Sequence, residues 1–133
     1  MGRVSERPAE VTLYDAMGGH AFFERLVHRF YQGVRDDPFL RALYPEEELD
    51  AAEDRLRMFL EQYWGGPKTY QEQRGHPRLR MRHMPFAVNA AARERWLQLM
   101  TNALDEVGLP PEVDAYLREF FDGVSAMLVN RPG

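Results

Sequence analysis

Hydrophobic residues recur at helical spacing along most of this 133-residue chain. The clearest stripe lies within 21–35, where apolar side chains separated by three and four positions predict an amphipathic helix. Its members are Phe23, Leu26, Val27, Phe30, Tyr31 and Val34. Similar stripes predict helices over about 51–64, 90–107 and 111–128. No segment alternates polar and apolar residues between turn signals, so the sequence predicts an all-helical protein with essentially no sheet.

The later stripes also predict which side chains face inward. They are Leu49, Ala52, Leu56, Phe59, Leu60 and Tyr63; then Ala92, Trp96, Leu99, Met100, Ala103 and Val107; then Val113, Tyr116, Leu117, Phe120, Val124 and Leu128. Thr12 with Asp15, and Asp50 with Glu53, have the spacing of a capping box at a helix start. The polar run 68–75 predicts an irregular loop.

A short segment between two prolines carries the most informative histidine. Pro77 suits a first helical position, and Pro85 disfavours helical geometry in the residue before it. Leu79, His83 and Phe86 are spaced i, i+4 and i+7, so they share one helix face. An imidazole among apolar neighbours on such a short element is well placed to ligate a metal, and histidine is the usual proximal ligand of globin haem. A structural histidine with satisfied hydrogen bonds is the alternative interpretation.

Composition narrows the function classes. The net charge is −4 and the pI is about 5.6, which argues against a nucleic-acid partner. Four arginines between 74 and 82 form a local basic cluster, which is either a solvated face or a surface for carboxylates or phosphates. The absence of cysteine excludes disulfides, thiolate metal sites and covalent haem attachment through C-x-x-C-H. No apolar run reaches 18 residues and the N-terminus lacks a signal-peptide pattern, so no membrane partner and a cytoplasmic location are expected.

Several motifs follow one another in a fixed order between Val11 and Asn130. They are TLYDAMGG at 12–19, RFY at 29–31, LYP at 43–45, RLRMFLEQYWGGP at 55–67, TY at 69–70, GHPRLRMRHMPF at 75–86, and Trp96. In this order and at these spacings they resemble a truncated haemoglobin of group II. The resemblance covers about nine-tenths of the chain.

The resemblance implies a truncated globin, a two-over-two helical sandwich around haem b. The globin domain would span 12–130, with 1–11 as a flexible N-terminal extension. His83 matches the proximal iron ligand. His20, His28 and His76 are predicted to lie at the surface.

The resemblance also assigns the distal side of the pocket. Tyr31, Tyr44 and Trp96 match polar residues whose O–H and N–H groups donate hydrogen bonds to ligands of the iron. Ala52 stands where vertebrate globins carry a distal histidine, and Leu56 lies one turn further along. On the residues alone, core packing is the favoured interpretation of Tyr31 and Trp96, and corner packing is an alternative for Tyr44.

Other positions match residues that hold the cofactor itself. Arg55, Tyr70 and Arg82 match positions that meet the haem propionates, since guanidinium groups pair well with carboxylates. Arg55 on its own is as readily a solvated side chain. The remaining expected haem contacts are Leu56, Phe59, Leu79, Phe86 and Trp96.

Two functions of different classes follow from the resemblance. The first is reversible binding of dioxygen and other small ligands such as CO, NO, cyanide and hydrosulfide, for oxygen transport or sensing. The second is a redox enzyme with peroxidase-like or nitric oxide dioxygenase activity, which would need an external reductase because no flavin or nicotinamide segment is present. A homo-oligomer is compatible with either function. A haem-free helical interaction domain is the unrelated alternative.

Overall fold

The computed structural model describes residues 12–45 and 47–132. These ranges contain eight α-helices and no strand, which confirms the predicted all-helical fold. The helices are α1 Leu13–Met17, α2 Gly19–Asp36, α3 Pro38–Arg41, α4 Asp50–Tyr63, α5 Thr69–Arg74, α6 Leu79–His83, α7 Ala90–Val107 and α8 Pro111–Met127. The predicted extension 1–11 lies outside the described residues. Within the part described, no helix has the length and apolarity that a membrane crossing requires.

Two helix pairs form the body of the molecule. Helix α2 packs against α4 and α7, and α7 packs against α8. The predicted stripe of α2 is the centre of the core, since Phe23, Leu26, Val27, Phe30 and Val34 are fully buried. Each such side chain contributes about 1.5–3 kcal/mol through removal from water, so α2 anchors both pairs.

Two glycines allow the first helix to meet the end of α4. Gly18 has φ +119°, a conformation that L side chains rarely adopt, and it separates α1 from α2. A Cβ on Gly66 would lie 2.6 Å from a ring carbon of Tyr14. The glycine is therefore required for the close approach of the two segments.

The predicted caps have different outcomes. The Thr12 hydroxyl accepts a hydrogen bond from the Asp15 amide at 3.1 Å, as expected. The predicted cap at Asp50 is wrong, because α4 begins at Asp50 and its N-cap, Leu49, makes no side-chain hydrogen bond. Arg35 of α2 binds the carboxylate of Asp50 at 3.2 Å, so this side chain pairs with a cation instead of capping the helix.

The predicted loop over 68–75 is also wrong, because Thr69–Arg74 forms a helix. Its pattern is polar, but tertiary contacts hold it. Tyr70 is buried and packs edge-on against Phe59 with ring centroids 5.8 Å apart. The side-chain oxygen of Gln62 accepts a hydrogen bond from the Gln71 amide at 2.8 Å. Burial of Tyr70 and the hydrogen bond to Gln62 of α4 thus stabilise this helix in the absence of an apolar stripe.

The proline-bounded helix is shorter than predicted. Helix α6 begins at Leu79, so Pro77 is not its first residue. Arg78 precedes the helix with φ +44°, and this left-handed residue turns the chain into α6. The end at His83, before Pro85, is as predicted, and Phe86 lies beyond the helix.

Two tyrosines that were predicted to face inward are exposed. Tyr63 and Tyr116 are 55% and 43% exposed, respectively. The Tyr116 hydroxyl accepts a hydrogen bond from the Trp64 indole at 2.9 Å while its ring reaches solvent. The inward positions of α8 include Phe121, one turn after Leu117, which the predicted stripe omitted.

Candidate functional site

A cavity of about 560 Å³ lies between the long helices and the α6 segment, within the usual range for small-molecule and cofactor sites. All twelve predicted site residues line it. They are Tyr31, Tyr44, Ala52, Arg55, Leu56, Phe59, Tyr70, Leu79, Arg82, His83, Phe86 and Trp96. Helix α8 also lines the cavity, with residues that were not predicted for the site, including Phe121 and Val124. Phe121 was detectable, since it follows Leu117 at the i+4 spacing.

His83 presents one defined ring nitrogen for ligation. Its Nδ1 lies 2.7 Å from the Leu79 carbonyl oxygen. Because a carbonyl only accepts, Nδ1 carries the proton and the Nε2 lone pair is left for a ligand bond. Nε2 makes no hydrogen bond with any residue of 12–45 or 47–132. His83 is the only one of the four histidines that lines the cavity.

Asn130 fixes the segment that carries His83, and sequence reasoning missed it. Its side-chain amide donates to the His83 carbonyl at 3.0 Å and accepts from the Val88 amide at 2.9 Å. Its own backbone N–H donates to the Val88 carbonyl at 2.8 Å. An asparagine after the last helix carries no local signal for such a contact, because its partners are more than 40 positions away.

Arg82 fixes the other side of the same segment. Its Nε donates to the Pro77 carbonyl at 2.6 Å, and one terminal nitrogen donates to the carbonyls of Arg74 and His76 at 2.8 and 3.1 Å. This guanidinium therefore organises the approach to α6. The resemblance assigned it to a propionate, and that role stays a prediction.

Aromatic side chains form another wall of the cavity. Tyr31 of α2 is buried and contacts Tyr44 edge-on, with ring centroids 5.7 Å apart. Phe30 contacts Trp96 of α7 at 5.1 Å. Trp96 is half-buried, and its indole N–H makes no hydrogen bond with the described residues. The wall thus retains a donor for a ligand in the cavity.

An ion pair secures this wall next to Trp96. Arg95 donates to one oxygen of the buried Asp37 carboxylate from Nε at 2.9 Å and from a terminal nitrogen at 2.5 Å. The other carboxylate oxygen caps α3 by accepting from the amides of Phe39 and Leu40. Burial raises the pKa of Asp37, but these hydrogen bonds outweigh burial and hold the pKa below its usual value.

The cavity is positively charged at its edge. Among the described lining residues there are four arginines and no carboxylate. Arg93 is paired with Asp122 at 2.6 Å. The guanidinium of Arg74, which the sequence analysis did not assign to the site, lies over the buried Tyr70 ring, 5.9 Å from its centroid. The Tyr70 hydroxyl makes no hydrogen bond with the described residues. The guanidinium of Arg74 and the hydroxyl of Tyr70 suit hydrogen bonding to the carboxylates of an anionic cofactor.

The donor set indicates what kind of metal group fits. Residues 12–45 and 47–132 contain no cluster of three or more His, Cys, Asp or Glu that would hold a bare ion. One imidazole in a large, mostly apolar cavity instead suits a metal that arrives inside a flat organic chelate. Haem meets each condition, since it needs one axial ligand, apolar walls and cations for its propionates.

Comparison with known proteins agrees with this geometry. The sequence model of the bacterial-like globin family matches residues 12–130. The chain belongs to the bacterial-like globins. The group 2 truncated haemoglobin YjbI of Bacillus subtilis is 36% identical to this globin over 118 residues, which cover 89% of this chain and 88% of the relative.

Solved structures extend the comparison to the fold. A thermostable haemoglobin from Thermobifida fusca superposes with a TM-score of 0.90 and 52% identity, covering 92% of this globin and 99% of that chain. A truncated oxygen-avid haemoglobin from Bacillus subtilis superposes at 0.83 with 35% identity, covering 90% and 99%. The predicted truncated-haemoglobin resemblance and two-over-two fold are confirmed. As a globin, the chain binds haem and small gaseous ligands.

Proposed function

We propose that this globin holds haem b through His83 and reversibly binds dioxygen and related small ligands for oxygen transport or sensing. The observation that carries the proposal is His83 Nε2, which is left for a ligand bond beside an apolar cavity without carboxylates. When bound, haem supplies an iron atom with one coordination position for a diatomic ligand.

The residues around that position are suited to a ligand that becomes partly anionic. The Trp96 N–H and the hydroxyls of Tyr31 and Tyr44 are hydrogen-bond donors on three different elements. Ala52 is small and carries no hydrogen-bond donor. Hydrogen bonds to the ligand would therefore come from α2, α7 and the 42–45 corner. The oxygen-avid description of the Bacillus subtilis relative supports dioxygen as the ligand.

The cofactor contacts follow from the same lining. Arg55, Arg74 and the hydroxyl of Tyr70 line the cavity and would pair with the propionates, and Arg82 holds the loop beside them. Leu56, Phe59, Leu79 and Phe86 supply apolar contact with the macrocycle.

The test is the rate at which dioxygen leaves the haem-loaded protein. Trp96→Phe keeps the aromatic bulk and removes the donor. We expect the dissociation rate to rise roughly tenfold, because a hydrogen bond to a charged group contributes ~1.5–3 kcal/mol. Trp64→Phe is the matched control, since its indole N–H is bonded to Tyr116 and Trp64 does not line the cavity. Equal rates in all three proteins would reduce Trp96 to a packing residue.

A redox enzyme is the second candidate. The donors that favour dioxygen would also orient peroxide, which favours a modest peroxidase-like activity, and nitric oxide dioxygenase activity is compatible with the same site. Nitric oxide dioxygenase activity would require a reductase to return the iron to the ferrous state, whereas peroxidase-like activity would take its electrons from the substrate. Peroxide-dependent oxidation of a phenolic substrate no faster than with free haem would remove the peroxidase candidate.

A further inference from the structure

The charge of this protein is unevenly distributed around the His83 segment. Residues 73–93 contain five of the 17 basic residues and none of the 21 acidic residues of the chain. The protein as a whole is nevertheless acidic, with a net charge of −4. A positive region on an acidic protein produces a directed field that steers oppositely charged molecules.

Two of these arginines have no assigned role in the fold. Arg78 and Arg80 are exposed, and their side chains make no hydrogen bond or ion pair with any described residue. By contrast, Arg82 is bound to three carbonyls and Arg93 to Asp122. Arg78 and Arg80 are therefore exposed charges without a partner among the described residues.

Neither of these two arginines belongs to the cavity. Arg74 and Arg82 line it, whereas Arg78 and Arg80 do not. The propionates of a cofactor would thus be met by other arginines, and Arg78 and Arg80 would face outward with the cofactor in place.

Two methionines complete the same surface. Met81 is 57% exposed and Met84 is 61% exposed. Arg78, Arg80, Met81 and Met84 are all exposed and none of them lines the cavity, so they lie on the outer side of the α6 segment. Leu79 and His83 lie on the cavity side. We name Arg78, Arg80, Met81 and Met84 the arginine–methionine patch.

We propose that the arginine–methionine patch is the docking surface for an acidic one-electron donor protein, one that carries a reduced flavin or an iron–sulfur cluster. The inference rests on the proposed haem function. The partner would lose one electron, and a ferric iron held by His83 would become ferrous, with no bond made or broken. The partner would sit directly outside α6, on the side of the segment away from the cavity.

Charge complementarity selects this partner. Exposed guanidinium groups around two flexible apolar side chains suit a transient interface that is steered by charge and re-packs easily. A ferrous globin that is oxidised during use needs such a donor. Electrostatic association of this kind weakens steeply with salt, because the screening length falls from about 10 Å at 0.1 M to about 3 Å at 1 M.

The experiment uses the haem-loaded full-length protein and an acidic plant-type [2Fe–2S] ferredoxin as the probe. Binding of oxidised ferredoxin is measured by titration calorimetry, and reduction of the ferric protein by reduced ferredoxin is followed by stopped flow. At low salt, Arg80→Glu and Arg78→Glu are each expected to weaken binding and slow reduction roughly tenfold. At about 1 M salt the variants and the wild-type protein should bind ferredoxin equally and be reduced at equal rates.

Arg25→Glu is the matched control. Arg25 is an exposed arginine on α2, without a hydrogen bond or ion pair to the described residues, so the change in net charge is identical. It should leave ferredoxin binding within about twofold of wild type. Arg80→Gln, which is milder, should show a smaller loss in the same direction.

Three outcomes would overturn the docking proposal. One is equal behaviour of Arg80→Glu and Arg25→Glu in a protein whose spectrum and ligand binding are normal. The second is binding to phosphatidylserine vesicles without binding to ferredoxin. The third is that Arg78→Glu or Arg80→Glu abolishes self-association, measured by sedimentation equilibrium, without weakening ferredoxin binding. A purified protein that fails to take up haem would instead defeat the proposed function.

Discussion

Two regions of this globin place functional side chains by different physical means. Tyr31 and Trp96 line the cavity and both contact Phe30, a fully buried core residue behind them, and we call these three residues the aromatic wall. The His83 segment, residues 75–88, contains no fully buried side chain in its helix. It is held instead by hydrogen bonds from Arg82 and Asn130 to backbone carbonyls.

The difference has a consequence for how each region fails. Packing is shared among many contacts, so a change in the aromatic wall should destabilise the whole fold. Directed hydrogen bonds are few and local, so a change in the His83 segment should alter ligation while the core stays folded. Variants of the two regions should therefore differ in both the size and the extent of their effects.

The largest effect is expected from Phe30→Ala. Removing this fully buried ring should lower the free energy of unfolding by about 3–5 kcal/mol, measured by urea denaturation of the haem-free chain. Phe39→Ala is the control, because Phe39 is 45% exposed and should change the value by less than about 0.5 kcal/mol. Similar losses for the two variants would show that the wall is not part of the core.

A smaller and more local effect is expected from Asn130→Ala. The variant leaves the Val88 amide without its acceptor, which costs roughly 1–3 kcal/mol in that segment. It also removes one of two hydrogen bonds to the His83 carbonyl, which keeps the bond from the Phe86 amide at 2.9 Å. Haem should dissociate faster, and amide hydrogen exchange should increase over 83–88 while α2 stays protected. Asn102→Ala, at a surface asparagine that accepts from Gln98, should change neither. An equal increase in amide exchange in all helices would contradict the claim that Asn130 stabilises only the His83 segment.

The smallest effect is a pH dependence at Asp37. Its pKa is below the usual value in the folded protein, so the ion pair with Arg95 stabilises the fold above the unfolded pKa of about 3.9 and is lost as the pH falls through the lower folded value. Wild type should therefore be more stable than Asp37→Asn near neutral pH, and the gap should narrow below about pH 4. A constant gap in urea denaturation from pH 7 to pH 3 would exclude this linkage.

The sequence predicted features that depend on periodicity and missed those that depend on distant partners. The stripe of α2 was correct because apolar spacing alone decides which face is buried. Helix α5 was missed because its support comes from Phe59 and Gln62 of another helix. The cap at Asp50 failed for the same reason, since Arg35 takes its carboxylate.

The site shows the same division. His83 and its neighbours were identified through a motif within twelve residues, and all twelve predicted site residues line the cavity. Asn130 has no motif, because an asparagine's role is set by the carbonyl that it reaches. Phe121 was missed because the predicted inward face of α8 was centred too close to Tyr116. That tyrosine stays at the surface, where its hydroxyl accepts a hydrogen bond from Trp64.

The most direct test of the account is haem binding by His83→Ala, measured by titrating haem into the haem-free chain and recording the visible spectrum. His76→Ala is the control, because His76 is exposed and does not line the cavity. The account predicts that His83→Ala loses the globin spectrum and most haem retention, that added imidazole partly restores the spectrum, and that His76→Ala behaves as wild type. Unchanged haem binding by His83→Ala would contradict the assignment of His83 as the iron ligand.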